Sequence, residues 1–372
     1  MAAHRHPADL DGRVILHCVQ RSQHATDLPG LRVILRIGGS RLLRFGVAIF
    51  FVGAWLQTIF IIRPDLVRPT DIGTDTSNYY AAGQRLADGH ALYALSPGDR
   101  PVPQDNPPFF SVPLLSPPPI AVIWRFLAIL PDSVVMYAWW VVAVLASTAL
   151  AAFLIWRARA LPLAVAAPLF FGLAITIWSG NVNALLLPMT ALVWPATAGG
   201  LPAARWTPLA GLIVALAAGV KLTPVLLLWW LASGGQWRAA RWAVLFGALF
   251  FAGSLVVAGP DSFAAYLDVI RATSVAGANG LSATKLLEQV GVVHSLAVLA
   301  PMGVAILVGA LCIVFRRRPA VGFAVTALGI VFASPVVRLE SVSQAIAALA
   351  PWVDWRLPWR TNNAPGGSAG ST

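Results

Sequence analysis

Residues 45–62 read FGVAIFFVGAWLQTIFII, and residues 63–93 continue as RPDLVRPTDIGTDTSNYYAAGQRLADGHALY. The first stretch carries no charge and is long enough to cross the hydrocarbon core of a bilayer as a helix. The second opens a polar loop that runs to about residue 108. Six of the fifteen acidic residues lie in this loop: Asp65, Asp71, Asp75, Asp88, Asp99 and Asp105. An apolar span followed by a carboxylate-bearing loop points to a helix bundle in lipid, with chemistry at the membrane–water boundary.

The rest of the chain agrees with that start. Apolar residues make up 58%, charged residues only 11%, and mean hydropathy is +0.74. A soluble domain carries about a quarter charged residues. Apolar segments recur at 45–62, 112–130, 134–156, 161–178, 182–198, 208–231, 242–258, 292–315, 321–336 and 342–353. The expected fold is therefore all-α, a polytopic transmembrane bundle of about ten segments. The last segment is short, and is tilted, re-entrant or shielded by protein. Residues 1–44 read as a disordered basic tail without a cleaved signal peptide. Residues 45–353 form the membrane domain, with 63–108 as its first external loop, and 354–372 as a disordered tail.

Several function classes drop out. Cys18 and Cys312 make neither a disulfide framework nor a metal site. No CxxC, HExxH, Walker or GxGxxG pattern occurs, so no metal or nucleotide cofactor is expected. The net charge of +11 sits beside apolar spans, where it marks cytoplasmic ends facing anionic lipid rather than nucleic acid. The clusters at Arg32–Arg44, Arg238/Arg241, Arg316–Arg318 and Arg356/Arg360 are expected in the cytoplasm with both termini. Simple alternation of ten spans satisfies them but leaves Arg157, Arg159 and Arg205 outside and Asn181 and Asn183 inside. Broken hairpins over 161–198 and 208–231 reverse those five placements, and then require a re-entrant segment, for which the Pro-rich run 113–119 is the candidate. Both topologies keep Asp75 outside.

Within this frame a few polar residues stand out. Asp75 precedes a helical run that Ser77 or Asn78 can cap and Gly89 can stop. That run reads as a short amphipathic helix on the membrane surface, with its tyrosines at headgroup depth. Asp75 is either a general base for a sugar hydroxyl or a solvated acid at a helix start. Lys221, one of only two lysines, lies in VALAAGVKLTPVLLLWWL. It is a phosphate ligand beside a break at Pro224, or a snorkelling interfacial lysine. Asn181 and Asn183, in WSGNVN, are a polar elbow lining a site or a plain turn. Arg338, in SPVVRLESVSQ, is a phosphate ligand beside Glu340, or the two residues simply pair with each other. The loop 259–291, with Asn279, Ser282, Lys285 and Glu288, closes over a ligand or only connects two helices.

Taken in order, these elements resemble the GT-C-type membrane glycosyltransferases of family 87, the polyprenol-phosphate-mannose-dependent mannosyltransferases. GTDTSNYYAAGQRLADGHALY is similar to the family's first-loop pattern. SPPPIAVIWRFLAILP resembles its Tyr-Pro-Pro segment, with Ser116 in place of Tyr. SGNVNALLL resembles its Gly-Gln-x-Asn element, with Asn181 for Gln. VKLTPVLLLWWL keeps Lys221 and Pro224 of its Lys-Pro-x-Pro helix. SPVVRLESVSQ begins like its late Ser-Pro element but lacks the usual aromatic and histidine residues. The resemblance implies an inverting hexosyltransferase with no nucleotide-sugar donor and Asp75 as catalytic base. It assigns Lys221 to the donor phosphate; where the late histidines are missing, either Arg338 takes over a donor-phosphate role, or the donor differs, or activity is reduced, and Asn181, Asn183, Tyr79 and Glu340 are the further candidate donor or substrate contacts. The partners it implies are a polyprenyl-phosphate sugar, a glycolipid or polysaccharide acceptor, and membrane lipid. A divalent metal is not required, because Lys or Arg can offset a departing monophosphate. A transporter or flippase, and a non-catalytic membrane subunit, are the rival classes.

Overall fold

The computed structural model describes residues 74–94, 114–157, 172–173, 176, 179–198, 203–275, 282–337, 339–353 and 355. The tails, the span 45–62, Arg338, Asn279 and most of 161–178 lie outside the described residues. All regular structure among the described residues is helical.

Helix α1 (Thr74–Ala87) starts earlier than its sequence suggests, so Asp75 lies inside the first turn rather than before it. A carboxylate there faces unpaired backbone N–H groups and the positive helix end. Gly89, at φ 72°, ends the helix, and the His90 N–H reaches back to the Arg85 carbonyl at 2.8 Å in a Schellman-type closure. Tyr79 and Tyr80 are buried against protein, not turned to headgroups. The Tyr80 hydroxyl donates to the Leu130 carbonyl at 2.8 Å.

The segment 112–130 contains only a ten-residue helix, α2 (Pro118–Leu127). At 1.5 Å per residue it covers roughly 15 Å, half the hydrocarbon thickness. Pro118 opens it after extended Pro117, where the missing N–H costs nothing. Helix α3 (Asp132–Arg157) follows after a tight turn and leads away from the site.

Next come α4 (Asn183–Thr197) and α5 (Ala203–Val220). The apolar run 208–231 is not one span. It breaks at Lys221–Leu222, continues as a 3₁₀ turn Thr223–Leu226 begun by Pro224, and then as α6 (Leu227–Ser233). Helix α7 (Trp237–Val275) returns alongside α5. Gly211 packs on Trp242 and Gly219 on Phe250, so the two helices run parallel with a constant offset. The chain must therefore cross back between them through 223–233. Gly259, at φ 76°, and Pro260 kink α7, which continues as helix to Val275 where the sequence suggested a loop. The short helices α8 (Ala283–Gln289) and α9 (His294–Ala297) lead into α10 (Ala300–Val314) and α11 (Pro319–Phe332). Helix α12 (Leu339–Val342) passes into a ten-residue 3₁₀ segment, Ser343–Trp352, whose Ile346, Ala347, Ala348 and Ala350 are buried in the bundle. Of the three placements open for 342–353, shielding by protein is the one observed.

Among the described residues two stretches are long and apolar enough to cross a membrane, Trp237–Arg271 and His294–Val314, and shorter apolar helices pack beside them. Trp194, Trp230 and Phe323 meet edge-on or tilted, with ring centroids 5.0–5.9 Å apart. The Trp230 indole donates to the Pro319 carbonyl at 3.0 Å, which ties α6 to the start of α11. Exposed Arg238 and Arg241 open α7, and exposed Arg316–Arg318 form the turn between α10 and α11. All are at the end of the bundle away from Lys221. Arg157 ends α3 some 18 residues beyond Trp139, which bonds to Gly180 at the other end. Arg205, in the first turn of α5, is level with the start of α7. Among the described residues Arg157 and Arg205 thus lie at the end that carries the other arginine clusters, and Asn181 and Asn183 at the end that carries Lys221.

Helix α1 is held by a close crossing. A Cβ added to Gly83 would lie 2.5 Å from the Trp124 carbonyl carbon and 2.9 Å from the Arg125 nitrogen, both backbone atoms. Helix propensity alone favours Gly83→Ala by about 1 kcal/mol, whereas overpacking costs about 1–3 kcal/mol. Because backbone cannot rotate aside, the second effect wins, and Gly83→Ala is expected to lower the melting temperature of the purified protein. A melt equal to or above wild type would show that α1 does not cross α2 this closely.

Candidate active site

The break at 221–222, the start of α4 and the start of α1 come together at one end of the bundle. Around them lies a cavity of about 390 Å³. Its polar wall contains Asp75, Tyr79, Asn181, Asn183, Lys221 and Glu340. These six candidates are drawn from four separate stretches of sequence. Arg338 lies outside the described residues. The opposite wall is apolar and includes Leu222, Val225, Tyr266, Val269 and Met302. Leu222 and Met302 are 60% and 58% exposed, so the cavity opens sideways through apolar residues.

A hydrogen-bonded chain organises the polar wall. The Asn181 amide Nδ2 donates to Asp75 Oδ2 at 2.7 Å. A carboxylate only accepts, so this contact orients the amide. Asn181 Oδ1 then accepts the Asn183 backbone N–H at 2.9 Å. Asn183, 1% exposed, turns its own Oδ1 to Lys221 Nζ at 3.2 Å and also accepts from Gln344 Nε2. Lys221 reaches Ser341 Oγ at 3.4 Å. An ammonium has three donors, and these two contacts leave one for a ligand.

The backbone beneath is pinned. Thr76 Oγ1 and the Trp139 indole both donate to the Gly180 carbonyl, at 3.0 and 3.2 Å, while Gly180 itself turns at φ 65°. This explains the elbow: WSGNVN is a turn, and the turn aims both asparagines into the cavity. Thr176 Oγ1 and Ser343 Oγ reach the Glu340 carbonyl at 2.9 and 2.7 Å, which fixes α12 on the cavity rim. Tyr79 packs on Trp124 with ring centroids 5.9 Å apart. Burial first, and then the Asp75 carboxylate, push its phenol well above the usual tyrosine range, so it stays protonated.

The polar side chains of the connection 282–294 do not reach the cavity. Ser282 caps α8 by accepting the Lys285 N–H at 3.1 Å, Lys285 pairs with Glu288 at 3.2 Å, and Glu288 meets His294 Nδ1 at 2.6 Å. His294 and then Lys285 hold the Glu288 carboxyl below its ordinary range. These contacts describe a capped connection, and none of the four side chains lines the cavity. Among the described residues no group of three or more His, Cys, Asp or Glu could hold a metal ion.

Sequence reasoning passed over Thr223, Ser341 and Gln344. Each is a small or amide polar residue in an apolar context. That is the signal that singled out the asparagines, but on its own it does not say which side of the helix faces the cavity.

A helical bundle with membrane-length apolar helices, holding a carboxylate and an ammonium around a cavity open to its flank, defines a membrane protein that handles a polar group beside lipid. The chain belongs to glycosyltransferase family 87, whose profile matches residues 115–337, more than half of its length. It is thus a membrane glycosyltransferase. The matched region contains Asn181, Asn183 and Lys221, while Asp75 and Glu340 lie outside it. Neither a curated protein nor a solved structure matches the chain.

Asn183 is the shared acceptor of this network. Asn183→Leu retains bulk but leaves the Lys221 ammonium and the Gln344 amide short of an acceptor. The expected cost is about 1–3 kcal/mol, read as a lower melting temperature in detergent or nanodiscs. An unchanged melt would show that Asn183 does not hold the two donors.

Proposed function

We propose that the protein moves a hexose, mannose by family resemblance, from a polyprenyl-phosphate carrier to a lipid- or polymer-linked glycan on the outer face of the membrane. The observation that carries this reading is the placement of Asp75 and Lys221 on one cavity wall, joined through Asn181 and Asn183. A transfer with inversion needs a base on one side of the sugar carbon and charge compensation on the other. Asp75 takes the proton of the acceptor hydroxyl as its oxygen bonds to the anomeric carbon. The bond to the carrier's phosphate oxygen breaks with its electron pair, and Lys221 offsets the charge released. Arg338 is the second candidate for that phosphate. Asn181 presents the Asp75 carboxylate in one orientation, which limits the search for a reactive geometry.

The lateral opening suits a donor that arrives through lipid, since a prenyl chain can stay among apolar residues while its phosphate meets the ammonium. The arginine-bearing end supports the outer-face assignment, because Lys and Arg concentrate on the cytoplasmic side of membrane proteins and the cavity lies at the other end. The same reading takes the chain as a bundle of about ten apolar segments with both termini in the cytoplasm.

Asp75→Asn preserves size and polarity but not basicity. Transfer from polyprenyl-phosphate mannose is expected to fall by about two orders of magnitude or more. Near-normal turnover would remove Asp75 as the base. For sidedness, Ser96→Cys in a Cys18→Ser background is expected to react with a membrane-impermeant thiol reagent in intact cells. Reaction only after the membrane is opened would put the loop, and the transfer, on the cytoplasmic side.

A further inference from the structure

Lys221 is not the only polar group at the helix break. Thr223 also lines the cavity, two residues on. Its Oγ1 is buried and has no hydrogen-bond partner. The neighbouring hydroxyl, Ser341 Oγ, is already engaged by Lys221. A buried hydroxyl without a partner costs stability, and native structures keep few of them. Thr223 lines the cavity beside an ammonium held by two neutral acceptors, and rotation about χ1 would turn its hydroxyl to an acceptor that comes with the ligand.

The kind of acceptor follows from the surroundings. Lys221 supplies a positive charge, and Thr223 supplies a neutral O–H donor that can rotate about χ1. A phosphate monoester offers anionic oxygens to both. The flank beside them is apolar and exposed at Leu222 and Val225, which suits an ester carrying a hydrocarbon chain better than free phosphate. Pro224 removes one backbone N–H and starts the 3₁₀ turn, so the chain presents Thr223 at the bend and not inside a continuous helix.

We propose that the Thr223 hydroxyl is a second ligand of the donor's phosphate and works with Lys221 to position it. This rests on the polyprenyl-phosphate reading above. Thr223 acts on binding and orientation. It takes no proton and does not contact the acceptor hydroxyl.

The test uses the full-length chain in nanodiscs, with farnesyl phosphate as probe and farnesol and inorganic phosphate as controls. Thr223→Val replaces the hydroxyl by a methyl of nearly equal size. Its affinity for farnesyl phosphate is expected to fall about tenfold to a hundredfold, the scale of a hydrogen bond to a charged group. Its melting temperature without ligand is expected to equal or exceed that of wild type, because an unpartnered buried hydroxyl is gone. Thr223→Ser retains the hydroxyl and is expected to bind within a few-fold of wild type. Equal affinity in Thr223→Val overturns the proposal. So does a loss of affinity accompanied by a lower melting temperature and not rescued by serine, since the hydroxyl is then structural. Wild-type binding of inorganic phosphate as tight as that of farnesyl phosphate rejects a lipid-borne ligand. Wild-type protein that ignores farnesyl phosphate refutes the donor reading itself, and this outcome appears before any variant is made.

Discussion

An ammonium within an apolar bundle has to be given acceptors, and the placement of Lys221 organises the rest of this structure. Burying a cation among hydrocarbon is costly unless it is hydrogen-bonded or paired. Lys221 meets this demand with Asn183 and Ser341, and Asn183 also takes Gln344. One side-chain oxygen thereby ties the start of α4, the break after α5 and the start of the final 3₁₀ segment to a single point. The continuation through Asn181 to Asp75 brings in α1. Stability and the chemistry of the site rest on the same few bonds, so changes made for one will be felt by the other.

The break at Lys221 also shapes the bundle. Had 208–231 continued as one helix, the lysine would lie mid-membrane and α7 would start on the cavity side. Pro224 stops the ladder, the chain reverses through 223–233, and α7 returns parallel to α5. The result separates the cavity's carboxylates from the main arginine clusters of the described residues. Asp75 and Glu340 face the cavity, whereas Arg238, Arg241 and Arg316–Arg318 crowd the other end.

Close backbone approach has the same dual role. Gly83 lets α1 cross α2 almost in contact, which puts Asp75 above the elbow at Gly180–Asn181. Aromatic residues fill the space around that crossing, with Trp124 between Tyr79 and Trp139. The site's acid therefore sits on a packed platform, although it belongs to a loop in the sequence.

The amino-acid sequence by itself determined the all-helical class, the membrane as solvent and the family, because these depend on composition, segment length and local motif. It also exposed Asp75, Lys221 and the two asparagines, since a polar residue in an apolar run is conspicuous wherever it folds. Several local features were decided otherwise by the fold. Asp75 sits within the helix, since the first turn of α1 can use a carboxylate. Tyr79 and Tyr80 turn into protein, since Trp124 and the Leu130 carbonyl are there to receive them. Residues 261–275 remain helical beyond the Gly259–Pro260 kink. Most of all, tertiary structure alone joined Asp75 to Lys221. Those residues are far apart in the chain, and their connection depends on how α4, α5 and α7 pack, which no local pattern of hydropathy encodes.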